Sequence, residues 1–353
     1  MQSNTLASPR AHTPWALPLL MCAALALPAA AQSPAPAATP APTPLVLRQG
    51  SNSPPGTVFH DHWLKFKQVL ERDSKGSIKV ELSTSEPNEG NLLSNLRRGR
   101  VDCTGTSLQG TATLLPEVAV LQLPYLFNNF REVDHAYGNL QGALTQTYRR
   151  LFEAKGVLML DWVEVGFVNM YGLQPFRSPA DVDGRKLRAT QSRASQNWIK
   201  ASGAEPVVLA FADLLPSLQT GLIKGGEAGV VIYDAVVGKA APFYTLTQHG
   251  YDSGVILCNK EWFDTKLTAE QRKLVLTAYD SAGQRRDVRL QADKALADAA
   301  GKGITVVRLN ESELRAWRAV GVRASEAVMA TLGPEAVQIR EALLQAIRST
   351  PKN

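Results

Sequence analysis

The chain has 353 residues, of which 44% are hydrophobic and 20% charged, and its formal net charge is +6 at pH 7. A chain of this length is too long for one small core, so two domains are the expected organisation. Its dense basic stretches, RRGR at 97–100 and GRKLR at 184–188, are not interleaved with aromatic residues, which argues against a nucleic-acid-binding surface.

The N-terminus is typical of an exported protein. Basic residues precede an apolar run at 15–27, and PAAAQ at 28–32 carries the small-x-small pattern of a signal-peptidase site. We therefore predict a signal peptide over 1–31 and a periplasmic location. Residues 32–44, rich in proline and alanine, are predicted to form an extended tether. No later stretch is apolar for long enough to span a bilayer, so we expect no membrane insertion of the mature chain.

Strand and helix patterns alternate in the next part of the chain. Alternating or extended stretches predict strands at 45–50, 76–84 and 100–106. Between the first two, apolar residues from Phe59 to Leu70 recur at spacings of four, three and four, which predicts a helix, and a shorter helix is predicted around 92–96. This order is the signature of an α/β fold, a parallel sheet with helices on its faces.

Two extended stretches are interpreted as crossings between domains. The stretch at 156–172 exceeds the usual strand length, and a second crossing is predicted at 250–259. Each domain is then discontinuous in sequence, and the two share a hinge. The predicted ranges are 45–165 with 254–293 for domain I and 166–253 with 294–353 for domain II.

The last third of the chain is predicted to be helical. Thr268 and Gln271 form a capping box, and the helical pattern then continues to about Ala300 without a proline. At 1.5 Å per residue such a helix is roughly 48 Å long, enough to contact both domains. A short strand at 303–309 and two amphipathic helices are predicted to follow.

Two cysteines remain after removal of Cys22 with the signal peptide. Cys103 and Cys258 are 155 residues apart and each lies in a strand-like stretch. A disulfide formed in an oxidising compartment and two separate buried thiols both stay open as interpretations. There is no CxxC motif, so a zinc or thiol-redox site has no support.

The motifs of catalysis and of metal or cofactor binding are missing. No serine lies in a GxSxG turn. The histidines of HDH at 60–62 are two positions apart on a predicted helix, so they point to different faces and are interpreted as solvated. GGEAG at 225–229 lacks the Lys-Ser/Thr pair of a phosphate loop. We therefore predict a protein that is not an enzyme and uses neither a cofactor nor a metal.

Arg188 is the candidate binding residue that the local pattern singles out. In RKLRAT the alternation turns Leu187 toward a core and Arg188 toward the other face, and Thr190 or Ser192 is predicted to cap a following helix. Ligands of open α/β sheets bind beyond the carboxyl ends of strands, and a guanidinium offers a planar fork of donors to a carboxylate. From this segment alone, a surface or interdomain salt bridge is an equally good interpretation.

A second helix is predicted shortly after this segment. Asp213 is placed to cap it, with Leu214, Leu215, Leu218 and Leu222 on one stripe. Phe211, just before that cap, is placed to cover the mouth of a pocket.

The stretch from Ser178 to Ala228, which contains GRKLRATQS and ends in GGEA, resembles the signature of the solute-binding proteins of TRAP transporters, the DctP type. The resemblance extends to 90–102, 123–138 and 259–273 and covers nearly all of the mature chain. It implies a two-domain Venus-flytrap architecture that closes on a small organic acid. It also implies partners, the small and large membrane subunits of a sodium-driven permease.

The resemblance also implies residue roles. The carboxylate-binding arginine of the family falls on Arg188, its pocket aromatic falls on Phe211, and first-domain contacts fall near Ser51, Asn91 and Ser107.

Departures from the family pattern bear on the ligand. A second arginine is replaced by Val168, beside Asn169 in the predicted site. QEN becomes GEA, which keeps Glu227 but leaves Ala228, and a tyrosine becomes Leu215. A buried pocket with fewer donors does not satisfy a second carboxylate. We expect a monocarboxylate with an apolar or aromatic body rather than a C4-dicarboxylate or sialic acid.

Two other functions stay open on the same scaffold. A periplasmic ligand sensor would share every feature above. A secreted enzyme would need a nucleophile, a base or a metal in the cleft, and the sequence contains no such set.

Overall fold

A computed structural model of the protein describes residues 43–84, 86, 88–138 and 140–351, without the side chains of Phe211 and Ala282. The predicted signal peptide and all but the last two residues of the predicted tether lie outside this part. The chain from Thr43 onward forms one compact unit. Among the described helices, none has both the length and the apolar composition needed to cross a bilayer.

The described elements alternate as the α/β prediction requires. The strands are β1 (Leu45–Ser51), β2 (Ile78–Ser83), β3 (Cys103–Ser107), β4 (Val157–Gly172), β5 (Lys186–Ala189), β6 (Glu205–Val208), β7 (Gly225–Gly229), β8 (Phe243–Asn259) and β9 (Thr305–Val307). The helices are α1 (Val58–Asp73), α2 (Glu89–Arg97), α3 (Leu108–Thr111), α4 (Phe130–Tyr137), α5 (Ala143–Glu153), α6 (Arg193–Ala201), α7 (Leu214–Gln219), α8 (Val230–Ile232), α9 (Lys260–Lys266), α10 (Ala269–Ala278), α11 (Ser281–Asp298), α12 (Glu311–Met329) and α13 (Pro334–Arg348). Short helical turns lie at Pro116–Gln122, Pro179–Asp181, Phe211–Asp213, Tyr233–Val237 and Ala300–Lys302.

The main sheet is mixed and has the strand order β2-β1-β3-β8-β4-β7, with β9 paired to β8. The pairs β1–β2, β1–β3 and β8–β9 are parallel, whereas β3–β8, β8–β4 and β4–β7 are antiparallel. Strands β5 and β6 form a separate parallel pair. The α/β fold class is thereby confirmed.

The long strands β4 and β8 connect the two halves of this sheet. Their Val157 and Asn259 ends lie beside β3, β1 and β2, which we call the first half. Their Gly172 and Phe243 ends lie beside β7 and β9, the second half. The strand predicted at 156–172 is therefore found as β4. The second crossing begins earlier than predicted, because β8 already starts at Phe243. The domain boundaries and the hinge stay predictions.

A β-bulge interrupts the pairing at the middle of these strands. The register shifts between Glu164 and Gly166, and Gly166 has φ 111°, a conformation that favours glycine. Helix α11 holds this point: Gln284 accepts from Glu164 N at 3.0 Å and donates to Glu164 O at 2.8 Å. Arg289 donates to the Glu164 carboxylate at 2.7 Å and to Asp134 at 2.6 Å. The bulge is thus fixed by a helix packed across it.

The prediction of one helix from Thr268 to Ala300 is wrong. The capping box at Thr268 is present, but α10 ends at Ala278 and α11 begins at Ser281. Between them Tyr279 is extended, with φ −90° and ψ 121°, and its ring stacks on Trp63 at 5.5 Å. No proline marks this break in the sequence, and its local signal is limited to the cap residue Asp280 and to Gly283 in the first turn of α11. It arises from a tertiary contact that outweighs local helix propensity.

Asp280→Ala is expected to lower the free energy of unfolding by about 1 kcal/mol, because Asp280 caps α11 by accepting from Gly283 N at 2.9 Å. Its ion pair with Lys65 is half exposed on both sides and adds little. The Gly283 hydrogen bond lowers the pKa of Asp280 below its usual value. The cap therefore makes its full contribution to stability at pH values above the usual aspartate pKa. This contribution is lost as the pH falls through the lowered pKa of Asp280. Urea unfolding at pH 7 measures the effect. Asp293→Ala on the exposed face of α11 is the matched control, and equal losses in the two variants would contradict the capping role.

Cys103 and Cys258 form a disulfide. The two residues lie directly opposite each other on β3 and β8, inside the core cluster that contains Leu47, Trp63 and Phe66. The interpretation left open by the sequence is thereby decided in favour of pairing.

Candidate functional site

A cavity of about 230 Å³ lies between side chains from the two halves of the sheet. Helices α1, α2 and α3 and strand β3 line it from the first half. Strand β5, the start of α6 and strand β7 line it from the second half, and the middle of β4 and β8 runs between them. A cavity of this kind, with few polar groups placed among apolar ones, is the usual form of a small-molecule site.

Arg188 faces this cavity from β5. Its neighbours Leu187 and Ala189 are fully buried, so the alternation of the strand leaves the arginine on the cavity side, half-buried. Its Nε is buried without a hydrogen-bond partner, and its guanidinium forms no ion pair with any described residue. The salt-bridge interpretation therefore has no support in the described part of the chain.

The loop after Arg188 is fixed by hydrogen bonds. Ser192 caps α6 by accepting from Ala194 N at 3.1 Å, and it donates to Gln122 at 2.6 Å. Thr190 N donates to Ser195 Oγ at 2.8 Å. Of the two caps that the sequence allowed, Ser192 is the one that the structure uses.

Glu227 and His249 form a buried pair in the second half. His249 Nε2 lies 2.8 Å from Glu227 Oε2, and the imidazole stacks on Trp198 at 4.1 Å. Burial alone would raise the pKa of Glu227, but the hydrogen bond and charge of His249, the hydrogen bond with Ser195 and the charge of Arg188 together outweigh it and lower that pKa. Glu227 is therefore a carboxylate whose charge is already met by the protein.

Three polar side chains of the first half line the cavity and were missed from the sequence. Glu89, in the first turn of α2, accepts from Ser107 N at 2.8 Å and from Ser107 Oγ at 2.6 Å. Asp252, on β8 opposite the bulge at Gly166, accepts from Gln109 Nε2 at 2.6 Å. Burial raises the pKa of Asp252 to about 7, and the charges of Glu89 and Glu227 act in the same direction. The signal for Asp252 that the sequence offered was the polar pair Asp-Ser in GYDSG, inside an extended stretch.

Aromatic rings form an apolar wall in the first half. Trp63 is held by Ser53, to whose Oγ its Nε1 donates at 3.2 Å, and by the stacked ring of Tyr279. The indole lies so close to β3 that a Cβ on Gly105 would stand 1.9 Å from it. Only glycine at this position lets the ring lie flat against the strand.

The structure places five predicted site residues around the cavity. Ser107, Val168, Arg188, Glu227 and Ala228 all line it. The Ser107 hydroxyl is engaged within the protein, because it donates to Glu89 and accepts from Gly110 N at 3.0 Å.

Three others do not line the cavity. Ser51 is buried behind Asn52 and Ser53, which do line it. Asn91 is exposed, since two positions along α2 turn it away from the face that carries Glu89. Asn169 lies on the strand face opposite Val168, and its amide is bonded to Tyr244 Oη at 3.1 Å and Gln248 N at 2.8 Å. The side chains of Asn91 and Asn169 are turned away from the cavity and Ser51 is next in sequence to lining residues, so their part in binding stays a prediction.

Other predicted positions are settled by local geometry. The side chain of Phe211 lies outside the described part. Asp213 stands before α7 but makes no side-chain capping bond, which corrects that prediction. Leu222 lies beyond the helix and is 46% exposed, so it does not belong to the apolar stripe.

His62 is buried in α1 and lies 3.2 Å from Asp287 on α11, so the solvated interpretation of this histidine is wrong.

Comparison with known proteins gives a family match. Residues 49–330 match the model of the bacterial extracellular solute-binding protein, family 7. The matched span contains the whole cavity lining described above.

Individual relatives match over most of their length. The 2,3-diketo-L-gulonate-binding periplasmic protein YiaO of Escherichia coli is 27% identical, over 66% of this chain and 72% of its own. The C4-dicarboxylate-binding periplasmic protein DctP of Rhodobacter capsulatus is 26% identical, over 84% of this chain and 81% of its own. The crystal structure of the sugar acid binding protein DctPAm of Advenella mimigardefordensis, in complex with galactonate, superposes with a TM-score of 0.81 at 26% identity and covers 87% of this chain and 99% of its own.

Proposed function

Because the chain belongs to family 7 of the bacterial extracellular solute-binding proteins, we propose that it is the solute-binding subunit of a TRAP transporter. It binds a small organic acid in the periplasm and delivers it to the small and large membrane subunits of the permease. One observation carries the proposal: Arg188 faces a cavity with a buried Nε that has no partner among the described residues. A ligand carboxylate supplies that partner, in the bidentate geometry that guanidinium groups favour.

The charges around the cavity favour a ligand with one carboxylate. Among the described lining residues, Arg188 is the only lysine or arginine. Val168 and Ala228 offer no donor where the family pattern has an arginine and an asparagine. A second ligand carboxylate at the first-half end of the cavity would lie near Glu89 and Asp252, and like charges in a buried site repel. The aromatic wall at Trp63 suits an apolar or aromatic ligand body.

We expect a thermal-shift screen of the mature protein to find monocarboxylates among its strongest stabilisers. A ligand at a hundred times its dissociation constant adds about 2.7 kcal/mol to the free energy of unfolding. Calorimetry then ranks the stabilising compounds by affinity. If succinate or malate binds more tightly than every monocarboxylate tested, the assignment to one carboxylate is wrong. If no organic acid binds, the proposed function itself is wrong.

A further inference from the structure

We propose that the ligand also carries a protonated nitrogen, which Asp252 and Gln109 bind while Arg188 holds the carboxylate. The site would then select zwitterionic amino or amidino acids. This inference rests on the proposed function and specifies the chemistry of the ligand at the opposite half of the same cavity.

The first support is a pair of acceptors without donors. Gln109 Nε2 donates to Asp252 Oδ2, which leaves Asp252 Oδ1 and Gln109 Oε1, and both atoms are buried without a hydrogen-bond partner among the described residues. Asp252 is only 9% exposed. An amide oxygen accepts hydrogen bonds and cannot donate them. A ligand group with two or more N–H bonds satisfies both atoms, whereas a buried acceptor left unpaired loses the hydrogen bonds that it had with water.

The second support is the charge that faces Asp252. Glu89 on α2 and Glu227 on β7 both act on Asp252 with negative charge. His249, on the same strand as Asp252, is paired with Glu227, and Arg188 acts on Glu227 from β5. The first-half side of the cavity therefore has an excess of negative charge, which a cation relieves. The rings of Trp63 and Tyr279 add a surface over which a cation is favoured.

The alternative is a protonated Asp252 that donates to an acceptor on the ligand. That arrangement leaves Gln109 Oε1 unpaired and places more electron-rich atoms beside Glu89. A nitrogen cation satisfies both acceptors and lowers the local charge at once, so the geometry favours it.

The experiment compares matched acids by calorimetry on the mature protein. The probes are 4-aminobutanoate with butanoate, 5-aminopentanoate with pentanoate, and 4-(aminomethyl)cyclohexanecarboxylate with cyclohexanecarboxylate. We expect at least one amino acid of a pair to bind tenfold or more tightly than its parent acid. Asp252→Asn is expected to reduce that ratio to about one, while Asp293→Asn on exposed α11 leaves it unchanged. Thermal unfolding of each variant confirms that it is folded.

The pH dependence gives a second readout. Because a bound cation requires ionised Asp252, whose pKa lies at about 7 in the unliganded protein, binding of the amino form releases a proton. Its affinity is expected to rise by up to about tenfold per pH unit from pH 5 to 7 and to level off above pH 8. Asp252→Asn is expected to remove this dependence.

The outcomes separate this inference from the proposed function. If the parent acids bind and no amino form binds more tightly, the inference is overturned and the proposed function stands. Affinity that falls above pH 7 would also overturn it, since it would indicate a protonated Asp252 donating to the ligand. If none of the six probes binds, the comparison is repeated with the best acid of the thermal-shift screen and its amino derivative, and only a screen in which no organic acid binds overturns the proposed function.

Discussion

Arg188→Ala is expected to weaken the binding of a monocarboxylate ligand by ~2–5 kcal/mol, because the ligand charge would then be buried without its partner. Arg188→Lys keeps the charge but loses the planar fork of donors, so we expect an intermediate loss. Calorimetry on the three proteins with the best ligand of the screen measures the effect.

The matched control for this substitution lies on the same strand. Lys186→Ala removes a cation from β5, but Lys186 is exposed and its ion pair with Glu205, at 3.9 Å, is on the surface. It is expected to change affinity little. Arg188 Nε has no hydrogen-bond partner among the described residues, but the charge of Arg188 lowers the pKa of the buried Glu227, so Arg188→Ala is expected to destabilise the unliganded protein somewhat, and thermal unfolding checks that the variant is folded. Micromolar binding that survives in Arg188→Ala would rule out the assigned role.

Loss of the disulfide between Cys103 and Cys258 is expected to lower the free energy of unfolding by about 5 kcal/mol, since it closes a loop with a sequence separation of 155. The bond lies inside the core of the first half, so alanine is the appropriate replacement: a serine would bury an unpaired hydroxyl. Denaturant unfolding of the Cys103→Ala, Cys258→Ala double variant measures the loss.

Two further measurements make this prediction specific. Reduction of the wild-type protein in mild denaturant is expected to reproduce the loss, and thiol titration of the unreduced, unfolded protein is expected to find neither cysteine free. The single variant Cys103→Ala also breaks the cross-link that closes this loop, so its free energy of unfolding is expected to fall by a similar amount. Equal stability of oxidised and reduced protein would argue against a stabilising role.

The segments of the fold and the candidate site were predictable because their signals are local. The long strand at 156–172 followed from an uninterrupted extended pattern, and Arg188 followed from strand alternation beside a buried Leu187. The resemblance to the solute-binding proteins of TRAP transporters is confirmed by the match over 49–330.

The remaining features depend on contacts between distant parts of the chain. Gln109 donates a hydrogen bond to Asp252, which lies 143 positions later in the sequence, and no local pattern predicts this contact. The break at Tyr279 depends on its stacking on Trp63. Asn91 and Asn169 were placed in the right segments, but each lies on the face turned away from the cavity. The fold around a segment decides which of its side chains face the cavity. A single sequence does not show that surrounding fold.

The long strands β4 and β8 have a consequence for how such a protein diversifies. They join the two halves of the sheet, and Val168, His249 and Asp252 on them line the cavity. A substitution in either strand alters both the connection between the two halves and the lining of the cavity, so selection acts on both properties at once. Arg188 and Gln109 lie on β5 and α3, outside this strand pair. The departure from the family pattern at Val168 lies on the strand pair itself, so the change that removed a donor from the cavity was also a change in the strands that join the two halves.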